Sequence, residues 1–250
     1  MRKRSFIYIA IVLFSYQSYS QMKKTLTIGH RGAKGHVMEN SLPSIQKAMD
    51  LGVDAIEIDV FTIADGTVVV FHDETLERLT NGNGPIENYT KKELDEIKLN
   101  GGFSIPTLQQ VLDLIDKKVR LNIELKGKNT ANPVHEIIQE YIVEKGWKKD
   151  DFIISSFNWE ELRITRELDI DMPIGVLTSN DLVNAIPEAD FLNAEAIHSN
   201  YKILTKENVA EMQSRGFKVY TWTVNEPEAI TKIKSFGVEG IITDFPERVK

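Results

Sequence analysis

There is no cysteine in the 250 residues. Disulfides, thiolate metal sites, a cysteine nucleophile and a lipidated N-terminal cysteine are thereby excluded. Long apolar runs are missing too. The run from Phe6 to Phe14 is about half of the ~20 residues that a membrane-spanning helix needs, and no other segment is apolar for long enough to cross a bilayer. No glycine-rich nucleotide fingerprint follows the first apparent strand, and no low-complexity stretch, linker or internal repeat interrupts the chain. Basic tracts are scarce. With 30 Lys and Arg against 37 Asp and Glu the formal charge is −7, which makes a nucleic-acid partner a poor fit.

What is present begins with Arg2, Lys3 and Arg4, then the short apolar run, then Ser18-Tyr19-Ser20. That is the layout of a secretory signal peptide over residues 1–20, with cleavage near Ser20–Gln21, a secreted or periplasmic destination and no stable membrane insertion afterwards. Its removal takes away three positive charges and carries the formal charge from −7 to −10. An uncleaved anchor is the alternative, disfavoured by the shortness of the run.

From Thr25 onward strands and helices alternate. Strands are expected at Thr25–Gly29, Ala55–Phe61, Thr67–Phe71, Val119–Leu125, Asp151–Ser155, Met172–Leu177, weakly at Ala194–Ile197, then Phe217–Trp222 and Gly240–Thr243. Helices are expected at Leu42–Leu51, Thr107–Ile115, Val134–Glu144, Trp159–Leu168, Asp181–Ile186, Lys206–Arg215 and Pro227–Phe236. About eight major strands and seven helices in roughly 230 residues fit a (β/α)8 TIM barrel better than an open doubly wound sheet. Residues 21–250 read as one domain, with an irregular insertion at 74–105 after the second strand, placed over the barrel mouth.

The chain centres on Asp54–Asp73. Glu57 and Asp59 are two apart in a β-branched run, so they share one strand face while Ile56, Ile58 and Val60 share the other. A solvated acidic face would look the same, but other polar residues also fall at strand ends, where a TIM barrel keeps its chemistry. His30-Arg31-Gly32 follows the first strand, His72-Asp73 the extra one, Glu124 and Lys126 end the next, and Trp222 and Asp244 end the last two. Glu57, Asp59 and Glu124 suit a hard divalent cation, Ca²⁺ or Mg²⁺. Arg31 offers a planar fork and Lys126 a point charge for a phosphate. His30 and His72 beside them suit general acid and base work on a phosphoester. His36, His135 and His198 are assigned structural or surface roles.

Read together, these residues resemble the glycerophosphodiester phosphodiesterase family. The likeness rests on His30-Arg31-Gly32, Glu39-Asn40-Ser41, Glu57-Ile58-Asp59, Asp65-Gly66, His72-Asp73, Arg78-Leu79-Thr80, Ile105-Pro106-Thr107-Leu108, Asn122 to Lys126, Trp222 to Asn225 and Thr243 to Pro246, in that order. It spans about residues 27–246. It implies a TIM barrel with a small insertion after the second strand and metal-dependent hydrolysis of a small-molecule glycerophosphodiester to glycerol 3-phosphate and an alcohol. His30 and His72 match the family's catalytic histidines, Glu57, Asp59 and Glu124 its metal carboxylates, Arg31 and Lys126 its phosphate contacts, and Trp222 an aromatic at the site mouth. The resemblance also implies the glycerol's own neighbouring hydroxyl as a candidate attacking group, through a cyclic phosphate. Met38 and Ser41 depart from the family's usual proline and threonine, changes that loosen a turn and keep a hydroxyl. Two other readings stand: a phospholipase acting on lyso or intact lipids, and a barrel that binds a phosphodiester without cleaving it.

Overall fold

A computed structural model describes residues 24–250. The leader expected over residues 1–20 lies outside the described residues. The strands are Leu26–His30 (β1), Ala55–Thr62 (β2), Val68–Val70 (β3), Arg120–Leu125 (β4), Phe152–Ser156 (β5), Ile174–Thr178 (β6), Ala196–Asn200 (β7), Lys218–Trp222 (β8) and Gly240–Thr243 (β9). The helices are Leu42–Asp50 (α1), Lys91–Asp95 (α2), Leu108–Ile115 (α3), Ala131–Lys145 (α4), Trp159–Leu168 (α5), Leu182–Phe191 (α6), Lys206–Ser214 (α7) and Pro227–Lys234 (α8).

Every strand but β3 pairs in parallel with its neighbours, and β1 bonds to both β2 and β9. The sheet therefore closes into an eight-stranded (β/α)8 barrel, as the strand and helix rhythm implies. β3 folds back antiparallel on β2, with Val60 opposite Val70 and Thr62 opposite Val68.

Alternation along each strand builds two apolar layers. Ile56, Ile58, Val60, Ile123 and Leu125 join one cluster with helix residues such as Ile45, Leu108, Val111 and Leu112. Ile28, Ala55, Ile153, Ala196, Tyr220 and Ile242 form a smaller cluster in the barrel interior. A third cluster belongs to the segment between β2 and α3. There Phe61, Val69, Phe71, Leu76, Leu79, Ile86, Leu94, Leu99 and Ile105 pack together. His72 and Asp73 thus stand on a segment with its own packed base.

Helix starts follow local chemistry. Ser41 caps α1 by accepting from Ser44 N at 3.2 Å, with Pro43 in the first turn. Thr107 and Gln110 form a reciprocal capping box on α3, and Thr205 and Asn208 do the same on α7.

Three elements depart from the expected bounds by three residues or more: α4, which starts at Ala131 rather than Val134, α6 and β7. α6, expected to stop at Ile186, continues through Pro187 to Phe191. Proline at this point removes one helical N–H, whose partner carbonyl would be Val183, a residue 83% exposed and so open to water. The weak strand expected at 194–197 instead runs Ala196–Asn200. It continues into His198 and Ser199, polar residues buried in the barrel, so no apolar alternation marked it.

His198 fills space left by Gly175. A Cβ on Gly175 would lie 2.4 Å from the His198 ring. Gly175→Ala is expected to cost roughly 1–3 kcal/mol as an overpacked interior. Thermal melts of G175A alone and combined with H198A check this. A melting temperature lowered by G175A in the parent, and lowered less or not at all by G175A on the H198A background, is expected, and an unchanged melt for G175A would contradict the packing.

Candidate active site

β1 ends in an unusual turn. Arg31 and Gly32 both take left-handed backbone, with φ of 51° and 85°. For arginine this conformation is strained, and it persists only where the surroundings fix it. Here the Arg31 N–H donates to Glu57 Oε2 at 2.9 Å, and its carbonyl accepts from Ser44 Oγ at 2.9 Å. Gly32 lies against Ser44 so closely that a Cβ would sit 2.5 Å from Ser44 Oγ. The turn thus sends the Arg31 side chain back over the barrel rim.

Strand register brings the acidic residues together. Glu57 is level with His30 across β1 and β2, and Asp59 is level with Glu124 across β2 and β4. One oxygen from each of Glu57, Asp59 and Glu124 lies within 4.8 Å of the others. All three are buried. Burial, then the neighbouring Asp59 and Glu124 charges, raise the Glu57 carboxyl well above its ordinary range. Burial and Asp59 push Glu124 up to about 7. Asn40, itself left-handed at φ 56°, donates from Nδ2 to Asp59 Oδ2 at 2.9 Å.

Two cations face this cluster. Arg31 Nε lies 3.2 Å from Asp59 Oδ2, and Lys126 Nζ donates to Glu124 Oε1 at 2.9 Å. Burial opposes both charges, but Asp59 and Glu39 beside Arg31, and Glu124 and Asp59 beside Lys126, raise both pKa values above normal. Glu57 Oε1 is buried without a hydrogen-bond partner.

The two histidines are presented alike. His30 Nδ1 is 2.6 Å from Asp244 Oδ1, and His72 Nδ1 is 2.6 Å from Asp73 Oδ1. A carboxylate only accepts, so each Nδ1 carries the proton and each Nε2 keeps a lone pair. His30 Nε2 accepts from Arg31 Nε at 3.1 Å, and His72 Nε2 lies 3.5 Å from Lys126 Nζ. Burial lowers the pKa of both imidazoles, against the pull of Asp244 on His30 and of Asp59 on His72.

One cavity collects these groups. His30, Arg31, Glu57, His72, Asn122, Glu124 and Lys126 line its polar side, and Phe157, Leu177, Trp222, Thr223 and Ile242 the rest. Each residue singled out from sequence therefore meets at one rim, with Asp59 joined through the carboxylate cluster. Trp222 is anchored by its Nε1–H to the His198 carbonyl at 3.0 Å and meets Phe157 edge to face at 5.4 Å. His36, His135 and His198 do not line this cavity. His36 pairs with Glu247 at 3.0 Å near the surface, and burial lowers His198 to about 3.

Several participants carried no assigned role in the sequence reading. Asn225 donates to Asp244 Oδ2 at 2.8 Å and accepts its backbone N–H at 2.9 Å, which fixes the carboxylate behind His30. Glu39 takes Arg31 Nη1 at 2.6 Å and Arg78 Nη2 at 3.0 Å. Burial would raise the Glu39 carboxyl, but Arg78 and Arg31 hold it at about 2. Asn225, Glu39, Asn40 and Arg78 all fall within motif stretches, so their types were visible and only their partners were not. Phe157 had no such sign, since it follows β5 without a motif.

Known proteins share both sequence and shape. The sequence model of the glycerophosphoryl diester phosphodiesterase family matches residues 30–248. A glycerophosphodiester phosphodiesterase from Caldanaerobacter subterraneus subsp. tengcongensis is 37% identical over 233 residues, covering 90% of this chain and 96% of its own. One from Bacillus altitudinis is 33% identical over 236 residues, with 90% and 96% covered. The structure of a phosphodiesterase from Oleispira antarctica, in complex with the product sn-glycerol-3-phosphate, matches with a TM-score of 0.82 at 27% identity, over 89% of this chain and 94% of that one. With the family match running from the first histidine of the site almost to the C-terminus, this chain belongs to the glycerophosphoryl diester phosphodiesterase family.

Proposed function

We propose that this cavity hydrolyses glycerophosphodiesters to glycerol 3-phosphate and an alcohol, with His30 and His72 as the paired acid and base. The observation that carries the reading is the matched pair of imidazoles. Each is backed by a carboxylate at Nδ1, each offers Nε2, and both line one cavity with three buried carboxylates. An Oleispira antarctica relative with glycerol 3-phosphate bound supports the substrate class.

The carboxylates fit a divalent cation. Three acidic groups crowd a buried space where Arg31 and Lys126 supply only two positive charges, and Glu57 Oε1 is left without a partner. An oxygen-only donor set of Glu57, Asp59 and Glu124 suits Ca²⁺ or Mg²⁺. When bound, such an ion polarises a phosphoryl oxygen and offsets charge growing in the transition state. Arg31 would grip non-bridging phosphate oxygens with its fork, and Lys126 would add a point charge. One histidine Nε2 would take the proton of the attacking oxygen, either the glycerol's neighbouring hydroxyl or water. The other, protonated, would return one to the leaving alcohol. Trp222 and Phe157 would form the aromatic wall of the cavity, with Lys126 Nζ lying 5.9 Å from the Phe157 ring.

A lysophospholipid would need an apolar entrance. His72 instead meets Asp73 and Lys126, and Asp73 leads through Arg78 to Glu39, so this side of the cavity is charged and favours small soluble diesters over acylated ones. Among the described residues no helix is long and apolar enough to cross a membrane. Export by residues 1–20 completes the reading, with a mature chain beginning near Gln21 in the intact mass of the exported protein.

Two expectations test the proposal. His72→Ala should lower turnover of glycerophosphocholine, read as glycerol 3-phosphate by a coupled dehydrogenase, by roughly 10²–10⁴-fold. Near-full activity would refute the assignment, and faster choline release from lysophosphatidylcholine than from glycerophosphocholine would favour the phospholipase. The second concerns Glu124, whose folded pKa of about 7 sits above the ordinary value of 4.5. A raised carboxyl contributes stability that is full below its unfolded pKa and lost as pH rises through its folded pKa. In cation-stripped protein Glu124→Gln, which removes that titration, should therefore raise the melt more at pH 8 than at pH 5, and added Ca²⁺ or Mg²⁺ should raise the parent's melt more at pH 8. A Glu124→Gln effect equal at both pH values, with a parent melt that ignores the cation, would contradict the ion site.

A further inference from the structure

Behind His72 lies a side-chain arrangement that its neighbours in sequence do not explain. His72 and Asp73 are adjacent residues, and in extended chain such side chains point to opposite sides. Here they touch at 2.6 Å between Nδ1 and Oδ1. Among the described residues Asp73 has one other side-chain partner, Arg78. It grips the carboxylate in a fork, with Nε at 2.5 Å from Oδ2 and Nη2 at 2.7 Å from Oδ1. Two bonds from a planar group fix both the position and the rotation of a carboxylate.

Arg78 is itself held at both ends. Its carbonyl accepts from Asn100 Nδ2 at 3.0 Å, and its neighbours Leu76 and Leu79 are buried in the cluster of the β2–α3 segment. Its Nη2 continues to Glu39 Oε1 at 3.0 Å, and the same oxygen takes Arg31 Nη1 at 2.6 Å. His72, Asp73, Arg78, Glu39 and Arg31 so form one continuous chain across the cavity rim. Glu39 keeps Arg31 and Lys34 as partners, and Arg31 keeps Asp59, whether or not Arg78 is present. Asp73 has no such reserve.

Resting on the reading of His72 as a catalytic group, we infer that Arg78 is a positioning residue: it locks Asp73, and through Asp73 the tautomer and orientation of the His72 ring. Loss of Arg78 then frees Asp73 to turn toward solvent, and the ring loses the acceptor that keeps its proton on Nδ1. The hydrogen bonds of Arg78 also hold the Asp73 carboxyl far below the usual carboxylate range, so it stays an acceptor. Stability should barely change, because half-exposed ion pairs contribute little to folding. The Arg78 side chain is 49% exposed.

The experiment uses the full mature chain with Arg78→Gln, Arg78→Lys, Asp73→Asn and the Asp73→Asn/Arg78→Gln pair. On glycerophosphocholine, R78Q should lower kcat by about 10- to 100-fold, comparable to the loss when the outer partner that orients a metal-ligating histidine is removed. KM and melting temperature should hold. R78K should fall nearly as far, since an ammonium cannot form the fork. Adding R78Q to D73N should cost little more than D73N alone. Nitrogen-15 spectra of the His72 ring give a second reading that needs no turnover. One tautomer, with the proton on Nδ1, is expected in the parent, and a mixture in R78Q. A parent that fails to release glycerol 3-phosphate would defeat the functional reading, and the spectra would still decide the role of Arg78. Unchanged kcat in R78Q, full additivity with D73N, or an unaltered His72 tautomer would each overturn it. Should R78Q fail to fold, R78K and D73N carry the comparison.

Discussion

Like charges crowded out of water are the constraint around which the rim is built. Glu57, Asp59 and Glu124 sit within 4.8 Å of one another and are buried, an arrangement that costs several kcal/mol per uncompensated charge. Arg31 and Lys126 offset part of it, and so do Asn40 and the Arg31 backbone N–H. The strained turn at Arg31 is understandable in this light. It aims an N–H at Glu57 and a guanidinium at Asp59 from a single residue. What remains uncompensated is the electrostatic demand that a divalent cation would meet.

Barrel closure makes the histidine pair possible. His30 ends the first strand, and its acceptor Asp244 follows the last, so the contact exists only because β1 and β9 pair. His72 comes from the fold-back of β3 on β2 instead, outside the eight-stranded ring, and its support is correspondingly local. The two imidazoles share one geometry but depend on different parts of the molecule. His30 is fixed by the closed sheet through Asn225 and Asp244, and His72 by side-chain ion pairs at the rim.

Much of this was legible in the sequence for physical reasons. Alternation in Ala55–Thr62 separates Glu57 and Asp59 from the apolar face, and strand ends in a barrel gather at one rim, so residue types and location could be read. Pairing partners could not. Nothing in the chain near His30 signals an acceptor more than two hundred residues away, and the level pairing of Asp59 with Glu124 depends on how a βα crossover closes. Arg78 and Glu39 stood inside recognisable motif stretches, yet their joint hold on Asp73 and Arg31 needs three dimensions. Strand β7 is blurred in the sequence because His198 and Ser199 are polar and buried, and Pro187 hides the last turn of α6 because proline ordinarily ends a helix. Phe157, an exposed aromatic after β5, looks like any surface residue until it is seen against Trp222.

Crystals grown with Mn²⁺, which shares the oxygen-ligand preference of Mg²⁺, give the most direct measurement through anomalous scattering. The expected result is one strong peak per chain, ligated together by Glu57, Asp59 and Glu124 on the cavity side facing His30 and His72. A peak held by other residues, or no peak in protein that still cleaves glycerophosphodiesters, would contradict the ion-centred site.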